Sequence, residues 1–368
     1  MLEDLGQSVW IDYIRRDLIA GGELARMIAE DGLLGMTSNP AIFQKAILDG
    51  DVYDGVIKSL AAEGKDANAI YEAISLGDVR DAADVFRPVY DRTGGKDGYV
   101  SLEVDPHLAH DTEGTVAEAR RLWAALGRRN VMIKVPATAE GLPAIRRLIS
   151  EGISVNVTLI FGADRYLQAA DAYIQGIRDR VARDLPVRGV ASVASFFLSR
   201  IDTMVDPMLE AQMAGGQSAL AEKAYGQVAV ASAKTAYRQY GELFGRGPFL
   251  ELKARGASVQ RLLWASTGTK NPRFGELKYV EPLIGRDTVS TLPVKTYDAY
   301  LRTGSPTRSI ENGLAEAEDV LRSLPSLGID LAEIVSRLEF EGIGKFTDPF
   351  DKLMATLETF RKNQAGRS

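Results

Sequence analysis

The chain has 368 residues, 45% of them hydrophobic and 26% charged, with a formal net charge of −6. That balance describes a globular chain and gives no reason to expect nucleic acid or an anionic membrane surface as a partner. It has no cysteine, which excludes disulfides, thiolate metal sites, iron–sulfur clusters and a cysteine nucleophile, and suits a reducing cytoplasm.

In chain order, the N-terminal "MLEDLGQSVW" lacks the basic and apolar regions of a signal peptide, and no apolar run is long enough to cross a bilayer. A soluble, cytoplasmic protein is expected. "SVWID" and "LLGMTS" read as the first two strands, followed by a helical insertion from about Asp51 to Asp91. "YVSLEV" is the third strand. Asp111 and Thr112 then open the helical pattern "TVAEARRLWAALG", and Gly127 closes it. "VMIKVP", "SVNVTLI" and "GVASVASF" are strands four to six, separated by the helical patterns "GLPAIRRLISEG" and "ADRYLQAADAYIQGIRDRVA". A second helical insertion, about Asp206 to Arg255, precedes "RLLWAS" and "DTVSTLP", and residues 294–368 are helical in pattern with a polar tail.

Alternating strands and helices imply a parallel sheet. Eight such strands point to an α/β fold, a (β/α)8 TIM-type barrel with helical insertions and a helical C-terminal region. A doubly wound sheet is the rival, but no dinucleotide or P-loop glycine pattern follows any strand. Without a linker-like stretch or a solenoid repeat, residues 1–368 are expected to form one domain.

Side chains alternate between the two faces of a strand, so in a barrel one set faces the helices and the other the lumen. In "VMIKVP", Val131, Ile133 and Val135 take the outer face, which sends Lys134 inward. The same parity sends inward Glu103 and Asp105, then Ser154, Asn156 and Thr158, then Asp12, and it sends Thr37 and Asn39 together. A lone Asn or Thr in such a place is most simply a satisfied core group. A lysine, carboxylates and two asparagines together make a costly core. They also fall near strand C-terminal ends, where barrel enzymes carry their chemistry.

Burial penalises a charged amine, and an amine that is neutral part of the time can attack a carbonyl to form a Schiff base. The protonated imine draws electrons from a neighbouring carbon–carbon bond, which then breaks. Two acid/base groups are needed, one for the substrate hydroxyl and one for imine formation, and Asp12 and Glu103 are available. Thr158 is suited to holding water, and Asn39 and Asn156 to orienting a ketose's hydroxyls. The alternative for Lys134 is a structural ion pair with Glu103 or Asp105. A zinc site is disfavoured: the only histidines are His107 and His110 in "DPHLAHD", which reads as a surface loop.

"GMTSNPAIF", "VSLEVDPHLAHDTEGT", "VMIKVPATAEGLPAI", "EGISVNVTLIF" and "SVASFFLSRID" resemble, in order and spacing, the signature segments of the transaldolase family. The resemblance runs from Gln7 to about Pro293 and is closest to a longer bacterial branch. It implies a transferase of the non-oxidative pentose phosphate pathway with sugar-phosphate substrates and no metal or organic cofactor. The reaction would take sedoheptulose 7-phosphate and glyceraldehyde 3-phosphate to erythrose 4-phosphate and fructose 6-phosphate. By resemblance Lys134 is the Schiff-base lysine, Asp12 the acid/base for the C4 hydroxyl, and Glu103 with Thr158 the pair that positions catalytic water. Asn39, Asn156 and Ser195 match residues that hold the dihydroxyacetone unit, and Arg200 and Ser266 match phosphate ligands. The family usually carries an arginine two residues after that serine. This chain has Gly268 there, and Lys270 is the candidate replacement.

Two other activities stay open at this stage. One is a fructose 6-phosphate aldolase, which releases free dihydroxyacetone; Glu103 and Phe197 favour transfer over it. The other is a non-catalytic sugar-phosphate-binding barrel. The chain is compatible with a homo-oligomer and with work alongside an isomerase. Lys295 falls either near the site or in solvent.

Overall fold

The computed structural model describes residues 2–215 and 218–365. The final residues 366–368 of the expected polar tail lie outside them. Eight parallel strands close into a barrel in sequence order. They are β1 (Gln7–Asp12), β2 (Gly35–Thr37), β3 (Tyr99–Glu103), β4 (Val131–Pro136), β5 (Val155–Ile160), β6 (Ser192–Phe197), β7 (Arg261–Ala265) and β8 (Thr288–Leu292). β1 pairs with β8 from Gln7↔Thr288 to Ile11↔Leu292, which closes the ring. The near-continuous apolar runs of β4, β5 and β6 follow from this architecture, since every residue in them is buried.

Strand register sets which side chains share a level. Asp12 lies opposite Thr37, and Lys134 lies opposite both Glu103 and Asn156. Below that level the indole of Trp10 fills the barrel. A Cβ on Gly35 would come within 2.5 Å of that ring, so only glycine fits in the neighbouring strand. The N-terminal end is plugged by a buried ion pair between Arg261 and Asp97 at 2.9 Å. Ser8 and the Trp10 indole donate to the same carboxylate at 2.8 and 3.2 Å, so its oxygens are satisfied and the buried charges are compensated. This polar cluster stands at the opposite end of the barrel from Lys134 and Asp12.

The segments from 51 to 91 and from 206 to 255 contain the helices Asp54–Ala62, Ala67–Arg92, Val228–Phe244 and Phe249–Ala254. Asp111 caps Thr112–Leu126 by accepting from Gly114 N at 2.9 Å, and Gly127 ends it in the left-handed conformation. No helix among the described residues is long and apolar enough to cross a membrane.

The longest helix, Leu331–Ala365, lies across the C-terminal mouth of the barrel. Two close backbone approaches seat it on the end of β5. A Cβ on Gly342 would meet Leu159 and Phe161 at 3.2 and 3.3 Å, and one on Gly162 would meet Val335 at 3.0 Å. Further on, the Phe350 ring packs edge-on against Tyr71 at 5.4 Å. His107 places Nδ1 2.8 Å from Asp105 and Nε2 3.1 Å from Asp351 on the helix. Both ring nitrogens face carboxylates, so the imidazolium is the form that suits the site. The hydrogen bond to Asp105 raises its pKa above 6.5, with burial acting the other way.

A raised imidazole pKa contributes stability that is complete below 6.5 and disappears as pH climbs through the folded-state value. The melting-temperature gap between wild type and His107→Gln is therefore expected to be widest below that pH and to narrow above it. The stability difference behind it should not exceed about 1 kcal/mol, because the pair is solvent-screened. A gap constant from pH 5 to 9 would mean that packing alone docks the helix.

Candidate active site

The site is built on the C-terminal ends of the strands, the end to which backbone carbonyls and loops deliver side chains in this fold. Lys134, in the middle of β4, is 3% exposed. Its Nζ donates to the Ser38 carbonyl at 3.2 Å and lies 3.1 Å from Oε2 of Glu103. Glu103 is likewise buried. Burial pushes its pKa up, against the nearby Lys134 charge.

Asp12 ends β1 and accepts a 2.7 Å hydrogen bond from the Thr37 hydroxyl. Thr37 Oγ1 is also 2.7 Å from Thr291 Oγ1. A hydroxyl has one proton to give, so with Thr37 donating to Asp12 the second bond runs from Thr291 to Thr37. The relay Thr291–Thr37–Asp12 holds the carboxylate in place. Burial raises the Asp12 pKa, while the Lys134 charge and the Thr37 bond work against it. Two carboxyl groups with raised pKa values flank one amine, the pattern expected where protons are exchanged near neutrality.

Lys134, Asp12 and Thr37 open onto a cavity of about 170 Å³, which Asn39, Ser195 and Arg200 also line. Asn39 sits where β2 passes into the helix Pro40–Leu48. Its Oδ1 caps that helix by accepting from Ile42 N at 3.0 Å, leaving the amide nitrogen for other partners. Asn156, on β5, lies one step behind the wall: its Oδ1 accepts from Ser195 at 2.6 Å and its Nδ2 donates to Ser101 at 3.1 Å. Thr158, two residues on, has a buried hydroxyl with no hydrogen-bond partner among the described residues. The backbone is unusual just past it: the β5–β6 register shifts and Leu159 has φ 58°. A leucine in that region costs on the order of 1–3 kcal/mol and persists only where its surroundings enforce it.

At the far side of the cavity stand Arg200, Ser266 and Lys270. Ser266 follows β7 with φ 53°, and this turn brings its hydroxyl to 2.9 Å from that of Ser199. The Arg200 guanidinium lies between two aromatic rings, 5.3 Å from Phe197 and 5.8 Å from Phe346. Its Nη1 is buried without a hydrogen-bond partner among the described residues. Burial lowers its pKa, with Glu103 and Asp12 opposing. A half-buried guanidinium whose Nη1 has no partner among the described residues, beside two hydroxyls and a lysine, suits a phosphate. Gly268 offers no side chain here, and Lys270 lines the same wall. Arg200, Ser266 and Lys270 also line a groove of about 780 Å³ along the C-terminal helix.

Strand parity misplaces one residue. Asp105 does not face the lumen: β3 ends at Glu103, Pro106 begins a 3-10 turn, and Asp105 caps that turn by accepting from His107 N at 2.9 Å. Lys295 is 87% exposed and pairs with Glu276 at 3.3 Å, so it lies in solvent. His110 pairs with Glu140 at 3.1 Å on the surface. Among the described residues no three His, Asp or Glu side chains are arranged to hold a metal ion. Two elements of the site carry no sequence signal of their own. Thr291 is an ordinary strand threonine, and Phe346 belongs to a helix remote from Lys134 in the chain.

An ion pair alone would account for Lys134 and Glu103. It would not place that amine on a cavity wall shared with a second carboxylate, Asp12, and with Arg200.

Comparison with known proteins agrees with this geometry. A family model described as Transaldolase/Fructose-6-phosphate aldolase matches residues 9–357. A "Transaldolase" of Thiobacillus denitrificans is 47% identical over 354 residues, covering 96% of this chain and 97% of the relative. "Transaldolase 2" of Nostoc sp. is 44% identical over 364 residues, covering 97% and 96%. A "Transaldolase" of Saccharopolyspora erythraea is 44% identical over 357 residues, covering 97% and 95%. With a barrel of the expected topology and matches over nearly its whole length, the chain belongs to the transaldolase/fructose-6-phosphate aldolase family.

Proposed function

We propose that this protein is a transaldolase, carrying a dihydroxyacetone unit from a ketose phosphate to an aldose phosphate through a Schiff base on Lys134. The observation that carries the site assignment is the buried amine, 3.1 Å from a buried carboxylate and open to a cavity shared with Asp12 and Arg200.

In this reading Lys134 Nζ adds to the C2 carbonyl of the donor. Glu103 takes up and returns the proton as the carbinolamine loses water to the iminium, with Thr158 holding that water. Asp12, fixed by Thr37, accepts the C4 hydroxyl proton as the C3–C4 bond breaks and the first aldose phosphate leaves. The electron pair stays on C3, delocalised into the iminium. The acceptor aldehyde takes this pair, Asp12 returns the proton to the new hydroxyl, and hydrolysis frees the new ketose. Asn39 and Ser195 orient the three-carbon unit, with Asn156 acting through its hydrogen bond to Ser195, while Arg200, Ser266 and Lys270 hold the phosphate. Glu103 and the buried Phe197 ring favour transfer over release of free dihydroxyacetone. As proposed, residues 1–368 form one domain that works in the cytoplasm.

The test is borohydride reduction with fructose 6-phosphate, with EDTA present, followed by peptide mass mapping. A single adduct on Lys134 is expected. Labelling at another lysine, or an activity that chelator removes, would overturn the reading.

A further inference from the structure

We infer that Phe346, on the C-terminal helix, decides whether the three-carbon unit held on Lys134 passes to an aldose or is lost to water. The inference rests on the transaldolase reading and adds to it a residue that none of the five signature segments contains. Phe346 is 3% exposed and lines the catalytic cavity. Its ring centroid lies 5.4 Å from Lys134 Nζ and 5.8 Å from the Arg200 guanidinium carbon. One side chain thus touches both the reacting nitrogen and the arginine at the phosphate end.

The ring is placed firmly, because the helix is anchored on both sides of it. Before it come the Gly342 contact with Leu159 and Phe161 and the ion pair between Glu339 and Arg165 at 3.0 Å. After it come Phe350 against Tyr71 and Asp351 against His107. Between anchors a dozen residues apart, an α-helix leaves little freedom in position or rotation.

The chemistry at stake is a partition. After C3–C4 cleavage, the electron-rich C3 either attacks the acceptor's carbonyl carbon or picks up a proton. Once C3 is protonated, water adds to C2 and the C–N bond breaks. Free dihydroxyacetone leaves, and both protons of that water end on Nζ, regenerating the ammonium. An aromatic face near the nitrogen acts on both branches. It attracts the positive charge of the iminium, and it occupies volume through which water would deliver protons to C3. A purely packing role for Phe346 would affect stability and leave the partition alone.

The test measures, with fructose 6-phosphate as donor, free dihydroxyacetone released against sugar phosphate formed with erythrose 4-phosphate or glyceraldehyde 3-phosphate. Phe346→Ala is expected to raise the ratio of release to transfer by roughly tenfold, the size of one desolvated cation–ring contact. Phe346→Leu restores apolar volume without the π face, and should give an intermediate ratio if both effects operate. It also serves should the alanine variant not fold. A ratio unchanged in both variants, or in the leucine variant alone when it is the one that folds, would overturn the inference. Borohydride labelling of Lys134 in the wild-type protein separates the two claims: labelled wild type with an unmoved ratio sinks only the role of Phe346, whereas unlabelled wild type sinks the transaldolase reading itself.

Discussion

Replacing Lys134 with methionine is expected to abolish both transfer and borohydride labelling while the barrel stays folded. Methionine keeps most of the side-chain volume and removes the nucleophile, so no imine forms and the loss should exceed about 10⁴-fold, beyond what a missing acid/base group alone costs. The variant should also lose stability to higher pH than the wild type does. Glu103 is buried, its pKa already raised by that burial, and the Lys134 charge is what opposes the rise. Without the lysine the folded state holds the Glu103 proton more tightly still. Stability relative to wild type should therefore fall once pH passes the wild-type folded-state value, itself above 4.5, at up to about 1.4 kcal/mol per pH unit until the variant's own folded-state pKa is passed. Denaturant unfolding of both proteins at pH 5 and pH 8 measures this. Transfer retained in the variant would remove Lys134 from the chemistry; equal stability gaps at the two pH values would mean that Glu103 is not held by the lysine.

Asp12→Asn separates bond cleavage from imine formation. The amide keeps the shape and can still bond to Thr37, but it cannot accept the C4 hydroxyl proton. Cleavage should slow by about 10²–10⁴-fold, the usual contribution of a positioned acid/base group. Imine formation depends on Lys134 and Glu103 and should survive. The reduced adduct then changes in mass. Wild type gives mainly the three-carbon unit on Lys134, because cleavage outruns trapping, and the variant gives the intact ketose phosphate on the same residue. A three-carbon adduct formed at the wild-type rate would show that another group takes the proton. Thr37 and Lys270 are the first candidates to examine in that case, since both line the same cavity.

The reach of the sequence and its limits can be traced to particular residues. Alternation with period two inside a strand depends only on backbone geometry, so Lys134, Glu103 and Asp12 could be sent inward from the pattern of their neighbours, and the structure brings the amine within 3.1 Å of Glu103. Asp105 shows where such reasoning stops. Parity holds only as long as the strand continues, and β3 ends two residues earlier. "HLAH" was legible as surface, but not as a clasp, because the partner of His107 is Asp351 on a helix far along the chain.

The order of strands and helices, the closed parallel sheet, the inward face of each strand and the family likeness were all determined by the chain's local pattern. Each rests on periodicity and on motifs a few residues long. Only the tertiary structure decided what closes the two ends of the barrel: Arg261 with Asp97 below, and the C-terminal helix with Phe346 above. It alone revealed Thr291 behind Thr37, and the tight fit of Trp10 against Gly35. These are contacts between residues remote in the chain, set by strand register, closure of the sheet and the path of a helix across it. Side-chain periodicity carries no information about such pairs, because it records which face a residue takes and not what it meets there.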